Sequence, residues 1–237
     1  GKDMGFTFVF LFAAAALSLA VIPSVILLPD KKTKEEIAGT GVWYKNIVTV
    51  HAFPTTFVMF FVMIGYAILN SYVFNFGAEQ NIGSISLFYT FMACTLIVSR
   101  PLSGWLSDKF GVAKVIIPGL VIFAASFVIV GTSKTLEQAV IGGIIAALGV
   151  GSTQPAIQAM NMQSVTPLKR SVASNTIYIG MDLGLFAGPL LGSVVYEHSS
   201  FAFMFQMTAV PVLIGLVCFI IILPIYNRRR RQLESRV

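Results

Sequence analysis

One acidic side chain lies deep inside an apolar run: Asp182, about midway along residues 172–196. A charge in hydrocarbon is costly, so such a residue is a functional hypothesis until a structural partner is found. A carboxyl group there can alternate between a neutral and an ionised form, as proton coupling requires. Asp182 is therefore a proton-coupling candidate. The alternative is a structural acid that hydrogen-bonds a neighbouring helix.

A stripe of polar residues precedes Asp182 in the sequence. Gln154, Gln158 and Asn161 recur at spacings of four and three, which places them on one face of a helix. Asn175 and Tyr178 follow in the next apolar run. Together these side chains could line an aqueous cavity that binds a small molecule. They could equally form hydrogen bonds between helices, and spacing alone does not separate the two.

Enzymatic chemistry finds little support in the sequence. There is no phosphate-cradling Gly-Lys-Ser/Thr loop, no zinc-ligand spacing and no hydrolase triad. Cys94 and Cys218 lie far apart inside apolar runs and are interpreted as packing residues. We therefore expect no enzyme activity, no cofactor and no metal site.

Composition indicates what holds these residues in place. Of the 237 residues, 56% are hydrophobic and 11% are charged, far from the roughly 25% charged residues of a soluble domain. A bilayer-spanning helix needs roughly 20 apolar residues. Seven runs are long enough: 5–28, 47–69, 84–107, 112–131, 138–162, 172–196 and 201–226. The predicted fold class is an all-α integral membrane protein with about seven transmembrane helices.

The basic residues predict the topology. With these spans, fourteen of the sixteen Lys and Arg residues fall on one side of the membrane: twelve in the polar intervals 29–46, 107–112 and 163–171 and in the tail, and Arg100 and Lys114 at the adjoining span ends. The positive-inside rule makes that side, including the C-terminus, cytoplasmic. The net charge of +6 is explained by topology, so membrane lipid rather than nucleic acid is the expected partner.

The turn between the third and fourth runs reads Arg100-Pro-Leu-Ser-Gly-Trp-Leu-Ser-Asp-Lys-Phe-Gly-Val-Ala-Lys114. It resembles the Gly-x-x-x-Asp-Arg/Lys-x-Gly loop signature of the major facilitator superfamily. The residues that match are Gly104, Asp108, Lys109 and Gly111. The basic pair that the family places directly after the second glycine is absent, as is typical of the C-terminal copy of this loop. Arg100 is interpreted as a gate or loop anchor.

A second stretch, Gly184-Leu-Phe-Ala-Gly-Pro-Leu-Leu-Gly192, resembles a signature of the proton-coupled drug and metabolite exporters in that superfamily. Here it lies two spans from the C-terminus, at the pseudo-symmetric position, and Ser193 replaces the final glycine. Gly184, Gly188 and Gly192 share one helix face, which permits close helix packing or a moving contact. Pro189 makes the same helix kinkable.

The resemblance implies an organisation for the whole chain. Residues 1–28 resemble the last helix of an N-terminal half, 29–46 a cytoplasmic connector, and 47–227 the C-terminal six-helix bundle, with 228–237 a basic cytoplasmic tail. The second, third, fifth and sixth spans would then face the transport cavity. The substrate-contact candidates are Tyr66, Phe88, Met92, Gln158 and Tyr178, together with Gln154, Asn161 and Asn175.

The resemblance therefore implies a secondary active transporter of the plasma membrane, moving a small organic molecule by alternating access, with proton-coupled export favoured. Its partners would be the substrate, a proton and a complementary N-terminal half. Three alternatives stay open. They are a proton- or solute-coupled uptake permease, a seven-helix receptor, and a membrane protein that transports nothing.

Overall fold

A computed structural model describes residues 48–234 continuously and, before them, only Phe8, Phe10, Leu11, Ala14, Ala15 and Ser18. The chain divides into two compact units, residues 1–43 and 44–237. The predicted first span, 5–28, falls almost wholly outside the described residues, and the predicted connector, 29–46, falls wholly outside them. The fold below is that of the second unit.

Six long helices make up this unit. They are α1 (Phe53–Glu79), α2 (Ser86–Phe110), α3 (Val112–Thr132), α4 (Leu136–Gln163), α5 (Arg170–Glu197) and α6 (Phe201–Glu234). Single 3-10 turns, Val50–Ala52 and Pro167–Lys169, precede α1 and α5. No strand occurs between residues 48 and 234. The predicted all-α membrane fold is confirmed.

The predicted number of spans is not confirmed. Among the described residues five helices are long and apolar enough to cross a bilayer, namely α1, α3, α4, α5 and α6. The remaining helix, α2, has 25 residues and is long enough, but Arg100 and several serines make its second half more polar. Since α2 lies between two spanning helices in an antiparallel series, we treat it as the sixth membrane helix.

Two helices extend far beyond their predicted ends. α1 continues ten residues past 69 because its polar side chains stay within the helix; Asn70, for example, donates from Nδ2 to the Tyr66 carbonyl oxygen one turn earlier, at 2.8 Å. α6 continues to Glu234, so the predicted basic tail begins as helix.

The packing follows the order α5, α1, α6, α3, α4, α2, with each helix contacting the next most extensively. α4 makes smaller contacts with α1 and α5 as well. Aromatic side chains fill the centre: Phe76 packs edge-on to Phe205 at 5.4 Å, and Phe123 to Phe127 at 4.8 Å. α2 and α5 end this series. α1 is the most buried of the five apolar helices, and α5 and α6 are the least buried.

Glycine allows α5 to approach α1 closely. The buried face of α5 contains Gly180, Gly184, Gly188 and Gly192. A Cβ atom at Gly184 would stand 2.5 Å from the Phe60 carbonyl oxygen, and one at Gly188 would stand 2.6 Å from the Ala67 Cβ. The glycine face is thus packed against α1.

Candidate functional site

α2 packs on α4 and α5 packs on α1, while α4 and α1 contact each other; we call the space between α2 and α5 the groove. α2 is held against α4 by Ser103, whose Oγ donates to the Ser152 carbonyl oxygen at 2.6 Å. It is held against α1 by Tyr89, whose hydroxyl donates to the Asn70 carbonyl oxygen at 2.8 Å. Residues eleven apart share a helix face, so Arg100 lies on the same side of α2 as Tyr89. Arg100 therefore lies on the wall of this groove.

The polar stripe of α4 divides into two parts. Asn161 is fully buried; its Nδ2 donates to the Ala173 carbonyl oxygen at 2.8 Å and its Oδ1 accepts from Thr55 Oγ1 at 2.9 Å. Asn161 thus joins α4 to α1 and α5, as the structural alternative predicts. Gln158 is half-buried and approaches the Met181 sulfur of α5 at 3.7 Å. Gln154, one turn away, is half-buried and makes no hydrogen bond within the described residues.

The opposite wall is the face of α5 that points away from its glycines. Tyr178 is 51% exposed, and Asp182, four residues later, is also exposed on that face. Asn175 lies one turn before Tyr178 and is exposed as well. Among the described residues Asp182 makes no hydrogen bond or ion pair. The structure therefore gives Asp182 no structural partner within this bundle.

Five of these polar side chains share one level of the bundle. At a rise of 1.5 Å per residue, they lie roughly 12–20 Å from the helix ends at Phe53, Phe110, Gln163 and Arg170. The hydrocarbon core is about 30 Å thick, so this level is near the bilayer centre. The five are Tyr66, Arg100, Gln154, Tyr178 and Asp182.

Two predicted substrate contacts lie elsewhere. Phe88 has no exposed surface and fills the space beside Gly143 of α4. Met92, one turn along, is 3% exposed in the same interface. Both side chains pack α2 on α4 rather than line the groove, which gives no support to their proposed role as substrate contacts. Tyr66 is half-buried and lies eleven residues after Thr55, hence on the face of α1 that contacts Asn161 of α4.

Gly111 is the only residue between α2 and α3. Its φ of +90° and ψ of 146° are accessible in practice only to glycine, and its N–H closes α2 on the Ser107 carbonyl oxygen at 2.9 Å. Lys109 stands over the Trp105 ring at 4.8 Å, and Asp108 is exposed. Gly104 borders open space: a Cβ atom there would meet nothing within 4 Å. The described bundle gives Gly104 no packing role.

Comparison with known proteins identifies the family. The sequence model of the Major Facilitator Superfamily matches residues 55–236. The chain belongs to the major facilitator superfamily. This family is one of membrane transporters.

Curated relatives within the superfamily match only part of the chain. The protein named MdtD of Klebsiella pneumoniae, provisionally described as a multidrug resistance protein, is 25% identical over 141 residues. That match covers 59% of this chain and 30% of the relative. MdtD of Citrobacter koseri is 24% identical over the same length. The chain thus aligns with less than a third of the length of these relatives.

Solved structures of the superfamily share the fold. The peptide transporter POT in complex with sulfate superimposes with a TM-score of 0.64 at 20% identity, covering 73% of this chain and 37% of that one. The E. coli fucose:proton symporter FucP gives 0.62 at 15% identity, covering 72% and 42%. The six helices therefore have the arrangement of part of a major facilitator transporter.

Sequence reasoning missed Tyr89 and Asn70, which orient the groove. Neither belongs to a motif, since each acts through one hydrogen bond between helices. The available signal was the eleven-residue interval between Tyr89 and Arg100, which places an aromatic hydroxyl and a cation on one face of α2.

Proposed function

We propose that this chain forms the C-terminal six-helix half of a secondary active transporter that moves a small organic molecule by alternating access. The observation that carries the proposal is the polar layer at mid-membrane depth. Tyr66, Gln154 and Tyr178 present hydrogen-bonding groups to a groove that also contains a cation and an acid. Polar and ionisable side chains inside a membrane are energetically costly, and they typically mark the path of a substrate or ion.

We further propose that Asp182 couples transport to proton movement. Its carboxyl group lies near the bilayer centre without a partner among the described residues. Binding of a proton removes the charge of the Asp182 carboxylate. This changes the free energy of moving α5 between environments of different polarity. The coupled direction that we propose is export, by analogy with the provisional description of the MdtD relatives.

A complementary N-terminal half would complete the cavity. The outward faces of α2 and α5 carry large exposed side chains beside the groove, including Phe186 at 70% exposure and Ile97 at 73%. Such surfaces require either lipid or another helix bundle. We place the assembled protein in the plasma membrane, with the Arg-rich end of α6 in the cytoplasm, because basic residues favour that side.

The test is a flux measurement. The complete transporter is reconstituted in vesicles with an internal pH dye, and a panel of cationic, neutral and anionic organic molecules is added under a proton gradient. Substrate-dependent proton movement supports a coupled transporter, and its sign gives the direction. Substrate flux without proton movement would reject coupling through Asp182. Absence of any flux across a broad panel would favour a receptor or a non-transporting membrane protein.

A further inference from the structure

Two opposite charges lie on the two walls of the groove without a partner in the part of the chain that the structure describes. Arg100 of α2 and Asp182 of α5 are both exposed, and neither makes a hydrogen bond or an ion pair there. Both belong to the polar layer at mid-membrane depth. The other acids whose side chains are described lie within two residues of a helix end: Glu79, Asp108, Glu137 and Glu197. Asp182 is therefore the only described acid at the level of Arg100.

Helical spacing places Arg100 at the side of α2 where its contact with α1 ends. Ser103 donates to a carbonyl oxygen of α4, and Tyr89 donates to one of α1. At about 100° per residue, Tyr89 lies about 40° round the helix from Ser103, and Arg100 lies about 20° further in the same direction. The rotation that leads from α4 to α1 thus continues to Arg100, whose side chain is exposed.

The same reasoning places Asp182 on the side of α5 that faces α4. The glycines of α5 pack on α1, and the Met181 sulfur approaches Gln158 of α4 at 3.7 Å. Going round α5 from the glycines through Met181, Tyr178 follows about 60° after Met181 and Asp182 about 100° after it. Asp182 therefore lies beyond the contact with α4, the helix on which α2 packs.

The two charges differ in what can neutralise them. A guanidinium group keeps its proton under all physiological conditions, whereas a carboxylate can bind a proton and become neutral. An unpaired charge at mid-membrane depth is costly. Arg100 therefore requires an anionic group, and a carboxylate fits it best because the two form parallel hydrogen bonds. Asp182 can instead take a proton or a cationic group.

We propose that the transported molecule is amphoteric, with an anionic group that binds Arg100 and a cationic group that binds Asp182 on the opposite wall. This inference rests on the proposed transport function and names its substrate class. The cationic group and a proton compete for one carboxylate, so binding of the substrate requires release of the proton. Such competition is the exchange that proton-driven export needs.

Matched probes separate the charge classes. Vesicles containing the complete transporter are offered unbranched ω-amino acids of increasing chain length, the methyl ester of each, which keeps only the cation, and the N-acetyl derivative of each, which keeps only the anion. Flux into protein-free vesicles is subtracted. The best amino acid should have a KM about tenfold to 100-fold lower than either derivative, the factor for one charge-assisted hydrogen bond. Its chain length measures the separation of the two binding groups.

The outcomes distinguish the substrate class from the transport function. A lower KM for an ester or an N-acetyl derivative than for every amino acid overturns the amphoteric class and leaves a transporter in place. Absence of flux for all these probes, while a neutral or singly charged molecule is transported, does the same. Absence of flux for every molecule offered rejects the transport function itself.

Variants of Arg100 test its role as the anion-binding group. Arg100→Gln should raise the KM of the amino acid about tenfold to 100-fold and leave that of the methyl ester unchanged, because the ester has no carboxylate. Arg100→Lys should restore part of the loss. Lys134→Gln, in the connection between α3 and α4, is the control and should change neither KM. Equal losses for the amino acid and the ester in Arg100→Gln would make Arg100 a gate or loop anchor and overturn the proposal.

A double-mutant cycle tests whether Arg100 and Asp182 merely pair with each other. Equilibrium binding of the best amino acid is the measurement, because Asp182→Asn removes coupled flux. The losses of affinity in Arg100→Gln and Asp182→Asn should add in the double variant, since each removes a different contact with the ligand. Recovery of binding in the double variant would show that the two charges only neutralise each other, and the proposal would fail. Size-exclusion chromatography checks that each variant is folded.

Discussion

The Tyr72 hydroxyl donates a hydrogen bond to the carbonyl oxygen of Pro189, 2.7 Å away across the interface between α1 and α5. Proline has no N–H to donate, so α5 lacks one of its own helical hydrogen bonds at this point. The Tyr72 ring also covers Gly192, where a Cβ atom would stand 2.7 Å from it. One side chain thus secures the part of α5 that its sequence makes least rigid.

Tyr72→Phe should lower the free energy of unfolding by about 0.6 kcal/mol, the average found for hydrogen bonds between membrane helices. Unfolding in mixed micelles, followed by helix content, measures the change. Tyr178→Phe is the control because Tyr178 is exposed and makes no hydrogen bond within the described residues. Equal destabilisation by the two variants would contradict a specific role for the Tyr72 bond.

Gly184→Ala and Gly188→Ala should each destabilise the bundle by about 1–3 kcal/mol, because the new Cβ meets backbone that cannot move aside easily. Gly104→Ala is the matched control in a helix: nothing lies within 4 Å of its Cβ, and alanine is the better helix former. We expect Gly104→Ala to be neutral or slightly stabilising. A neutral result at Gly184 would show that α1 and α5 separate without cost.

Gly111→Ala should cost about 1–3 kcal/mol, since its φ of +90° with ψ of 146° strains any residue with a Cβ. The comparison variant is Gly83→Ala in the connection between α1 and α2, where φ is not positive and space is open. Thermal unfolding in detergent distinguishes the two. Similar melting temperatures for both variants would mean that the turn relaxes around the substitution.

Thr55 and Asn161 should show coupling in a double-mutant cycle. Thr55→Val and Asn161→Leu each remove one partner of the 2.9 Å bond, and the coupling energy should be about 0.5–1.5 kcal/mol. Gln154→Leu is the control on the same helix face, where we expect unchanged stability and altered transport. Additive effects of the two substitutions on the free energy of unfolding would contradict a stabilising hydrogen bond between Thr55 and Asn161.

Asp182→Asn in the complete transporter should abolish proton-coupled flux while leaving the fold intact, because an amide cannot take up or release the proton. Glu197→Gln, at the far end of the same helix, should retain flux. Vesicle flux with an internal pH dye, together with size-exclusion chromatography for folding, makes the comparison. Full coupled activity in Asp182→Asn would reject the coupling proposal.

The helical fold was predictable because burial in lipid requires long apolar helices, whatever their packing. The C-terminal end of α1 was not predictable. A polar residue such as Asn70 usually marks the end of a membrane span, but here its side chain donates to the Tyr66 carbonyl oxygen of its own helix. Likewise, a loop was predicted over 107–112, whereas only Gly111 leaves helical geometry.

The candidate site was predictable in part. Spacing placed Tyr178 and Asp182 on one face, which the structure leaves exposed. The sequence could not predict that Asn161 is buried and bonded while Gln154 is not, because the two are similar amides at helical spacing. Their difference arises from neighbours more than 10 residues away in sequence: Thr55 and Ala173 bind Asn161, while Gln154 is half-buried without a hydrogen bond in the described residues.

The lengths of the connections limit which helices can move apart. One residue joins α2 to α3, and three residues join α3 to α4 and α5 to α6, whereas six residues join α1 to α2 and α4 to α5. A single residue spans at most about 3.6 Å, less than the 5.4 Å of one helical turn. The short tethers therefore confine α2, α3 and α4 to one another, and α5 to α6. The two six-residue connections join α1 to α2 and α4 to α5, the helices around the groove. The two walls of the groove, α2 and α5, therefore belong to different groups of closely connected helices. The chain's longer connections are therefore concentrated at the two sides of this groove.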